Sequence, residues 1–313
     1  MKDGKLPESL VAIATLSPKC VNQDACAVVK SCTSPTLGVV VCDGIGSHLG
    51  AEYASAYAAD SIAQELNQLP FEAIAALDAS AMTRIYKNAC ITIAERSVQH
   101  ETNGAPALAE FPPGTTALTA LELQHSIVLA YTGNGSIWHV RANFNEFPEA
   151  ALLPWSAINL LNPHSQPVKG KNQLFRFLSA TAGPDEATPS VIMLSKDEQL
   201  MGDIIAVVTD GIWSYDQAVI GQNEMGVWIH AESTLPLLYR HLNEFFRRGN
   251  ISESALQAAL NVYLDAVRAS GKMADDITIG LLITGRAVAY QRSMNARVTS
   301  EDEHEITYPS VVA

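Results

Sequence analysis

Basic residues are scarce. The 313-residue chain carries 20 Lys and Arg against 33 Asp and Glu, a formal charge of −13. A partner with a phosphate backbone calls for a basic face, and an anionic lipid surface repels the same excess of acid, so neither nucleic acid nor membrane is expected as a partner. Cysteine is sparse and unpatterned. Cys20, Cys26, Cys32, Cys42 and Cys90 are odd in number and hold no CxxC pair, which suits neither a disulfide framework nor a zinc site. They read as reduced thiols of a cytoplasmic protein, with Cys26 and Cys42 buried in strands. Long apolar runs are also missing. Nothing approaches the roughly 18 apolar residues of a spanning helix. The run of residues 10–16 is broken by Thr15 and is too short to read as a signal peptide. No repeat of solenoid period occurs, and no linker divides the chain.

What the chain does have is core-forming sequence, with 48% hydrophobic and 17% charged residues. That is the composition of a folded protein rather than a disordered one. Short β-branched and apolar segments predict strands at 25–30, 37–42, 116–123, 126–132, 136–141, 174–178, 190–194, 204–209, 277–284 and 287–291. Helical spacing predicts helices at 50–69, 79–99, 233–247 and 252–269. Tyr53, Tyr57, Ile62 and Leu66 fall near one face of the first, which Pro70 ends; Met82, Ile85, Ala89 and Ile93 stripe the second. Residues 101–113 read as loop, and 143–172 as an irregular segment with a strand near Ala150. Strands, two helices, strands, two helices, strands fit a layered α+β sandwich of antiparallel sheets better than a regularly alternating parallel sheet. Residues 1–292 read as one domain and 293–313 as a polar, mobile tail.

One pattern occurs twice. Val39-Val40-Val41-Cys42-Asp43-Gly44-Ile45 is echoed by Ala206-Val207-Val208-Thr209-Asp210-Gly211-Ile212. Each is a buried-type strand ending in Asp-Gly. Asp-Gly is also a common turn, so one such site alone says little. Two more carboxylate sites adjoin strands, Asn22-Gln23-Asp24 before residue 25 and Asp275-Asp276 before residue 277. An ionised Asp at the end of a buried strand is costly unless it is paired or binds a metal. Few Lys or Arg lie nearby in sequence, and hard divalent cations with oxygen ligands would supply the missing charge. The Gly after each Asp would let the backbone approach closely, so that its carbonyl could also serve as a ligand.

Taken together these residues are recognisable. Asn22-Gln23-Asp24-Ala25 resembles the first acidic motif of the PP2C-type (PPM) metal-dependent Ser/Thr protein phosphatases. Asp43-Gly44-Ile45-Gly46-Ser47-His48, continuing through Gly50-Ala51-Glu52, is similar to the bacterial form of their Asp-Gly-x-Gly-Gly-His signature. Gly114-Thr115-Thr116, Gly202-Asp203 with Thr209-Asp210-Gly211-Ile212-Trp213, and Asp275-Asp276-Ile277-Thr278 resemble the remaining motifs in the family order. The resemblance implies a four-layer α/β/β/α sandwich, two antiparallel sheets flanked by helix pairs. It implies two Mn²⁺ or Mg²⁺ ions bridged by Asp43, with Asp43, Asp210 and Asp275 on one and Asp43 and the Gly44 carbonyl on the other. Asp24 and Gln23 would hold metal-bound waters, and a bridging hydroxide would attack a phosphoserine or phosphothreonine in line. Lys19 stands where the family usually has an Arg that contacts substrate phosphate; it supplies charge without the bidentate fork.

The departures bear on function. Gly133-Asn134-Gly135-Ser136 stands where the family has Gly-Asp-Ser-Arg, so a third ion is expected to bind poorly or not at all. Gln23 replaces a Glu and Ser47 a Gly. Ile45 stands where eukaryotic relatives carry a His suggested as general acid. His48 is expected to pack or cap at the start of the following helix, and Trp213 to be core. His125, His139 and His164 lack partners at ligand spacing and are assigned no role. The leading reading is an active phosphoprotein phosphatase, monomeric, opposing a Ser/Thr kinase. The alternatives are a regulatory pseudophosphatase and a hydrolase of small phosphate esters.

Overall fold

The computed structural model describes residues 6–31, 36–102, 112–144, 157–169, 171–212, 219–222, 224–226, 228–230, 234–269, 273 and 275–304. The chain opens with β1 (Leu10–Leu16), β2 (Asp24–Lys30) and β3 (Leu37–Asp43), then α1 (Ala51–Gln68), α2 (Phe71–Ala75) and α3 (Ala79–Thr102). There follow β4 (Gly114–Thr115), β5 (Ala117–Glu122), β6 (Ser126–Thr132), β7 (Ser136–Val140), β8 (Ala157–Asn159), β9 (Ser165–Val168), β10 (Lys171–Leu174), β11 (Leu178–Ser179), β12 (Ser190–Ser195), β13 (Ile204–Val208), β14 (Val219–Gln222) and β15 (Trp228–His230). The chain continues with α4 (Thr234–Arg247), α5 (Glu253–Ala269), β16 (Ile277–Ile283) and α6 (Gly285–His304).

Two antiparallel five-stranded sheets form the centre, in the orders β1-β16-β13-β7-β8 and β12-β6-β5-β3-β2. Alternation along each strand fixes which side chains face which layer. In β3, Val39 and Val41 join the core between the sheets with Val11, Leu118, Leu129, Ile205 and Val207, while Val40 and Cys42 face α1 and α3. The central strands β3, β5, β6, β13 and β16 are buried on both faces along nearly their whole length, which is why they read as continuous apolar runs. On the other side, Leu238, Leu242, Phe246, Leu256, Leu260 and Val267 of α4 and α5 cover the first sheet. The three cores define the four layers expected. Each fully buried Val, Leu or Ile contributes about 1.5–3 kcal/mol to holding them.

Helix α1 lies on β2 and β3 through small residues, Ala51, Ala54, Ser55, Ala58 and Ala59, followed by Ile62, Ala63 and Leu66. Tyr53 does not share that face. It is 41% exposed and stacks on Tyr57, which carries Arg96 over its ring at 4.9 Å. The alanines bring the helix axis close to the sheet and leave no room there for an aromatic ring.

Two expected strands are corrected, and residues 10–16 add one. Residues 10–16 are a full sheet strand, β1, paired with β16 from Leu10↔Ile283 to Leu16↔Ile277. The strand expected at 174–178 is displaced: β10 ends at Leu174 and β11 begins at Leu178. The strand expected at 287–291 is helix α6. Thr284 accepts the Ala287 N–H on its hydroxyl and the Val288 N–H on its carbonyl, and Ala287, Val288 and Gln291 are buried. That spacing is helical; a run of a few residues could not distinguish it from a strand. That helix runs on to His304. The expected strand near Ala150, Trp213, Cys32 and residues 305–313 lie outside the described residues.

Candidate functional site

The sheet register brings the acids together. Asp24, at the start of β2, is the cross-strand partner of Asp43, at the end of β3. Asp210 follows β13 and Asp275 precedes β16, neighbouring strands of the other sheet. Asp43, Asp210 and Asp275 all line one cavity of about 980 Å³, with Lys19, Gln23, Gly44, Thr116 and Asn134. Asp24 is buried behind them, 7% exposed.

Asp43 is held through its backbone. Its N–H donates to Thr116 Oγ1 at 3.1 Å, and its carbonyl accepts from the Thr116 N–H and the Thr115 hydroxyl, both at 2.8 Å. Its carboxylate is thereby left for the cavity. Both Asp-Gly glycines are required by space. A Cβ on Gly44 would meet the Ala51 carbonyl oxygen at 2.5 Å and that of Gln23 at 2.6 Å, and one on Gly211 would collide with the Asp276 carbonyl oxygen. The Gly44 N–H donates to the Gln23 carbonyl at 3.0 Å, which ties the β2 entry to the β3 exit.

The electrostatics are those of a site short of positive charge. Burial pushes the Asp24 carboxyl up to about 7, against the lowering effect of the Thr278 and Thr209 hydroxyls. Its Oδ2 accepts from Thr209 Oγ1 at 2.9 Å, whereas Oδ1 is buried without a hydrogen-bond partner. Burial, then the charges of Asp24 and Asp210, raise Asp43 well above the usual carboxylate range. Asp210 accepts from Asn134 Nδ2 at 2.5 Å. Lys19 Nζ stands 2.5 Å from Asp275 Oδ1 and 3.9 Å from Asp276 Oδ2, and the Asp275 hydrogen bond raises its pKa.

The donor set is all oxygen, which suits a hard divalent cation. The orphaned Asp24 Oδ1 and the raised carboxyls fit one as well. Among the described residues no group of three His, Cys, Asp or Glu side chains forms a preassembled cage. A cation here would therefore draw on the Gly44 carbonyl and on water too.

Other expected residues separate by position. Asp276 is a structural neighbour of the site, accepting from Ser17 Oγ at 2.5 Å and from the Gln23 N–H at 2.8 Å. Asp203 lies at the far end of β13, buried, where it accepts from His139 Nε2 at 2.8 Å and Arg141 Nη2 at 2.7 Å. His48 does not cap α1, whose first turn has Gly50 as its cap and no side-chain cap bond. It lines the cavity, with Nδ1 2.7 Å from the Pro112 carbonyl and its ring edge-on to Phe177. His125 has Glu198 at 3.1 Å, and His164 is buried behind the site. Ser17 and His164 carried no signal in the sequence. Thr209 did, as part of the motif around Asp210, and its hydroxyl proves to be the donor to Asp24.

Residues 15–151 match the protein phosphatase 2C family model. No curated protein matches the sequence. Among solved structures, a bacterial serine phosphatase superposes with a TM-score of 0.56 at 14% identity, covering 87% of this chain and 96% of that one. The serine/threonine phosphatase Stp1 from Staphylococcus aureus gives 0.55 at 14% identity, covering 90% and 98%. The Mycobacterium tuberculosis serine/threonine phosphatase PstP/Ppp gives 0.55 at 14% identity, covering 88% and 99%. The chain thus has the fold of these proteins over most of its length. The matched segment contains Asp24 and Asp43, the acids of one sheet, together with Gly44.

Proposed function

From the protein phosphatase 2C match and the shared fold, which support a serine/threonine phosphatase of that type, we propose that this chain is a metal-dependent phosphoserine/phosphothreonine protein phosphatase. The observation that carries the reading is the meeting of Asp43 from one sheet with Asp210 and Asp275 from the other at one cavity, with Asp24 paired to Asp43 and buried behind it. Asp43, Asp210, Asp275 and the Gly44 carbonyl would hold two Mn²⁺ or Mg²⁺ ions. When bound, such ions neutralise phosphoryl charge and lower the pKa of water toward neutrality.

The protein's own contribution is placement. Thr115 and Thr116 fix the backbone of Asp43, and Thr209 fixes Asp24. Gln23, which lines the cavity, and Asp24 would orient water from behind the ligands. Lys19 would meet the substrate phosphate with a single positive charge, exchanging its contact with Asp275 for the phosphoryl oxygens. With Asn134 donating to Asp210, no carboxylate is added there, and a third ion is not expected. The proposed catalytic unit is residues 1–292, a cytoplasmic monomer acting on a phosphoprotein opposite a Ser/Thr kinase. No described helix is long and apolar enough to cross a membrane.

The test is turnover of a phosphothreonine peptide and of p-nitrophenyl phosphate with and without Mn²⁺. Mn²⁺-dependent cleavage of the peptide, abolished by Asp210→Asn, is the expected result. Metal binding without any turnover would replace this reading with a regulatory binding protein, and turnover of the small ester alone with a small-ester hydrolase.

A further inference from the structure

Behind the cavity, one buried histidine joins two parts of the site that are distant in sequence. His164 is 5% exposed and stacks on Tyr131 with ring centroids 5.0 Å apart. It immediately precedes the β9–β10 hairpin, and its carbonyl accepts the Phe175 N–H that closes the hairpin base at 2.9 Å. Its own N–H donates to the Gly133 carbonyl at 2.9 Å, and the Gly133 N–H donates back to its Nδ1 at 3.3 Å. An accepting Nδ1 fixes the proton on Nε2, which faces Ser190 Oγ at 2.9 Å.

Gly133 opens a turn that has little freedom to shift. Gly133 and Gly135 have φ of +96° and +121°. A Cβ on Gly133 would meet Thr116 Cγ2 at 2.5 Å, and one on Gly135 the Val208 carbonyl at 2.6 Å. The turn is thus wedged between Thr116, which holds Asp43, and Val208, two residues before Asp210. At its apex Asn134 donates to Asp210 Oδ2 at 2.5 Å.

We infer that His164 is a positioning residue for the site: its paired hydrogen bonds with Gly133 set the turn from which Asn134 orients the Asp210 carboxylate. His164 touches neither the cavity nor its contents and acts only through Gly133 and Asn134. The inference rests on the proposed role of Asp210 as a cation ligand. It also links the hairpin base to that ligand through one side chain, and the hairpin tip, Lys169, lines the cavity.

The ring nitrogens can be separated by substitution. In His164→Asn the side-chain oxygen falls near the position of Nδ1 and keeps an acceptor for the Gly133 N–H. In His164→Gln the amide reaches toward Ser190 and leaves that N–H unpaired. Calorimetric titration of the full chain with Mn²⁺ is expected to give His164→Asn within about twofold of the wild type. His164→Gln and Asn134→Ala should each bind about tenfold more weakly, the scale of supporting-shell losses. Equal affinities for the two His164 variants, or wild-type affinity in His164→Gln, would overturn the inference. Asp210→Asn separates the premise: wild-type Mn²⁺ binding in that variant overturns the function reading and this inference with it. Loss of binding there, with none in His164→Gln, overturns this inference alone. Should His164→Gln not fold, Mg²⁺ titration of ¹⁵N-labelled wild type decides. The Gly133 amide and His164 Nδ1 resonances are expected to shift with saturation, and unmoved resonances refute the coupling.

Discussion

Replacing Asp24 by Asn should stabilise the metal-free protein while weakening its hold on metal. Asp24 is buried, its Oδ1 has no hydrogen-bond partner, and burial raises its carboxyl from 3.8 to about 7. A carboxyl with a raised value in the folded state binds its proton more tightly folded than unfolded. Stability is therefore fully present below about 3.8, lost as the pH rises toward about 7, and flat above that. The difference between about 7 and 3.8, at about 1.4 kcal/mol per tenfold, is about 4 kcal/mol of destabilisation at pH 8. An amide avoids it and still offers Thr209 Oγ1 an acceptor, although it must itself be desolvated. A net gain of about 2–3 kcal/mol is expected. The assay is urea denaturation of both proteins in EDTA from pH 5 to pH 8. Asp24→Asn should gain over the wild type as the pH rises, and the two should converge toward pH 4. With saturating Mn²⁺ the order should reverse or narrow, because the variant loses about ten- to a hundredfold in affinity. A variant that is less stable than the wild type at pH 8 in EDTA, or a difference that does not change with pH, would refute the electrostatic account of the site.

Single contacts elsewhere in the site give further expectations. Gly211→Ala places a methyl against the Asp276 carbonyl and should cost about 3 kcal/mol or more in denaturation midpoints, with loss of Mn²⁺-dependent turnover. Lys19→Met should raise KM for a phosphothreonine peptide about tenfold with a smaller change in kcat, and Lys19→Arg should lower KM below the wild type. Burial, with Arg176 nearby, lowers His164 to about 4. The unfolded chain therefore takes up a proton there first, and stability should fall by about 3 kcal/mol as the pH drops from about 6.5 toward 4. His164→Asn should lack that component in pH-dependent denaturation.

The sequence made the site more legible than the layers that build it. Asp24, Asp43, Asp210 and Asp275 were each marked by an apolar strand ending or beginning on a carboxylate, a local feature. Their convergence was not local, since it depends on Asp24 pairing with Asp43 and on β13 lying beside β16. The two Asp-Gly pairs could have been ordinary turns. Only the folded chain, which sets the carbonyls of Ala51 and Gln23 against Gly44 and that of Asp276 against Gly211, shows why no side chain fits. Residues 10–16 looked like an isolated apolar run because the partner strand, β16, comes more than 250 residues later. Residues 287–291 read as a strand because Thr284, which accepts the first helical N–H groups, is indistinguishable in sequence from the end of the preceding strand. His164 gave no signal, because its role lies in one lone pair and the neighbour it meets.

The acids are divided evenly between the two sheets, Asp24 and Asp43 on one and Asp210 and Asp275 on the other. Neither sheet alone carries more than half of them. The arrangement exists only while the sheets stay docked across the Val39, Val41 and Gly280 contact, where β3 meets β16 with no side chain to spare. Slippage between the layers would scatter the acids while leaving both sets of strand ladders intact. A bound divalent ion would then act as a cross-link between the layers, and its release would report their separation before circular dichroism registered any lost strand.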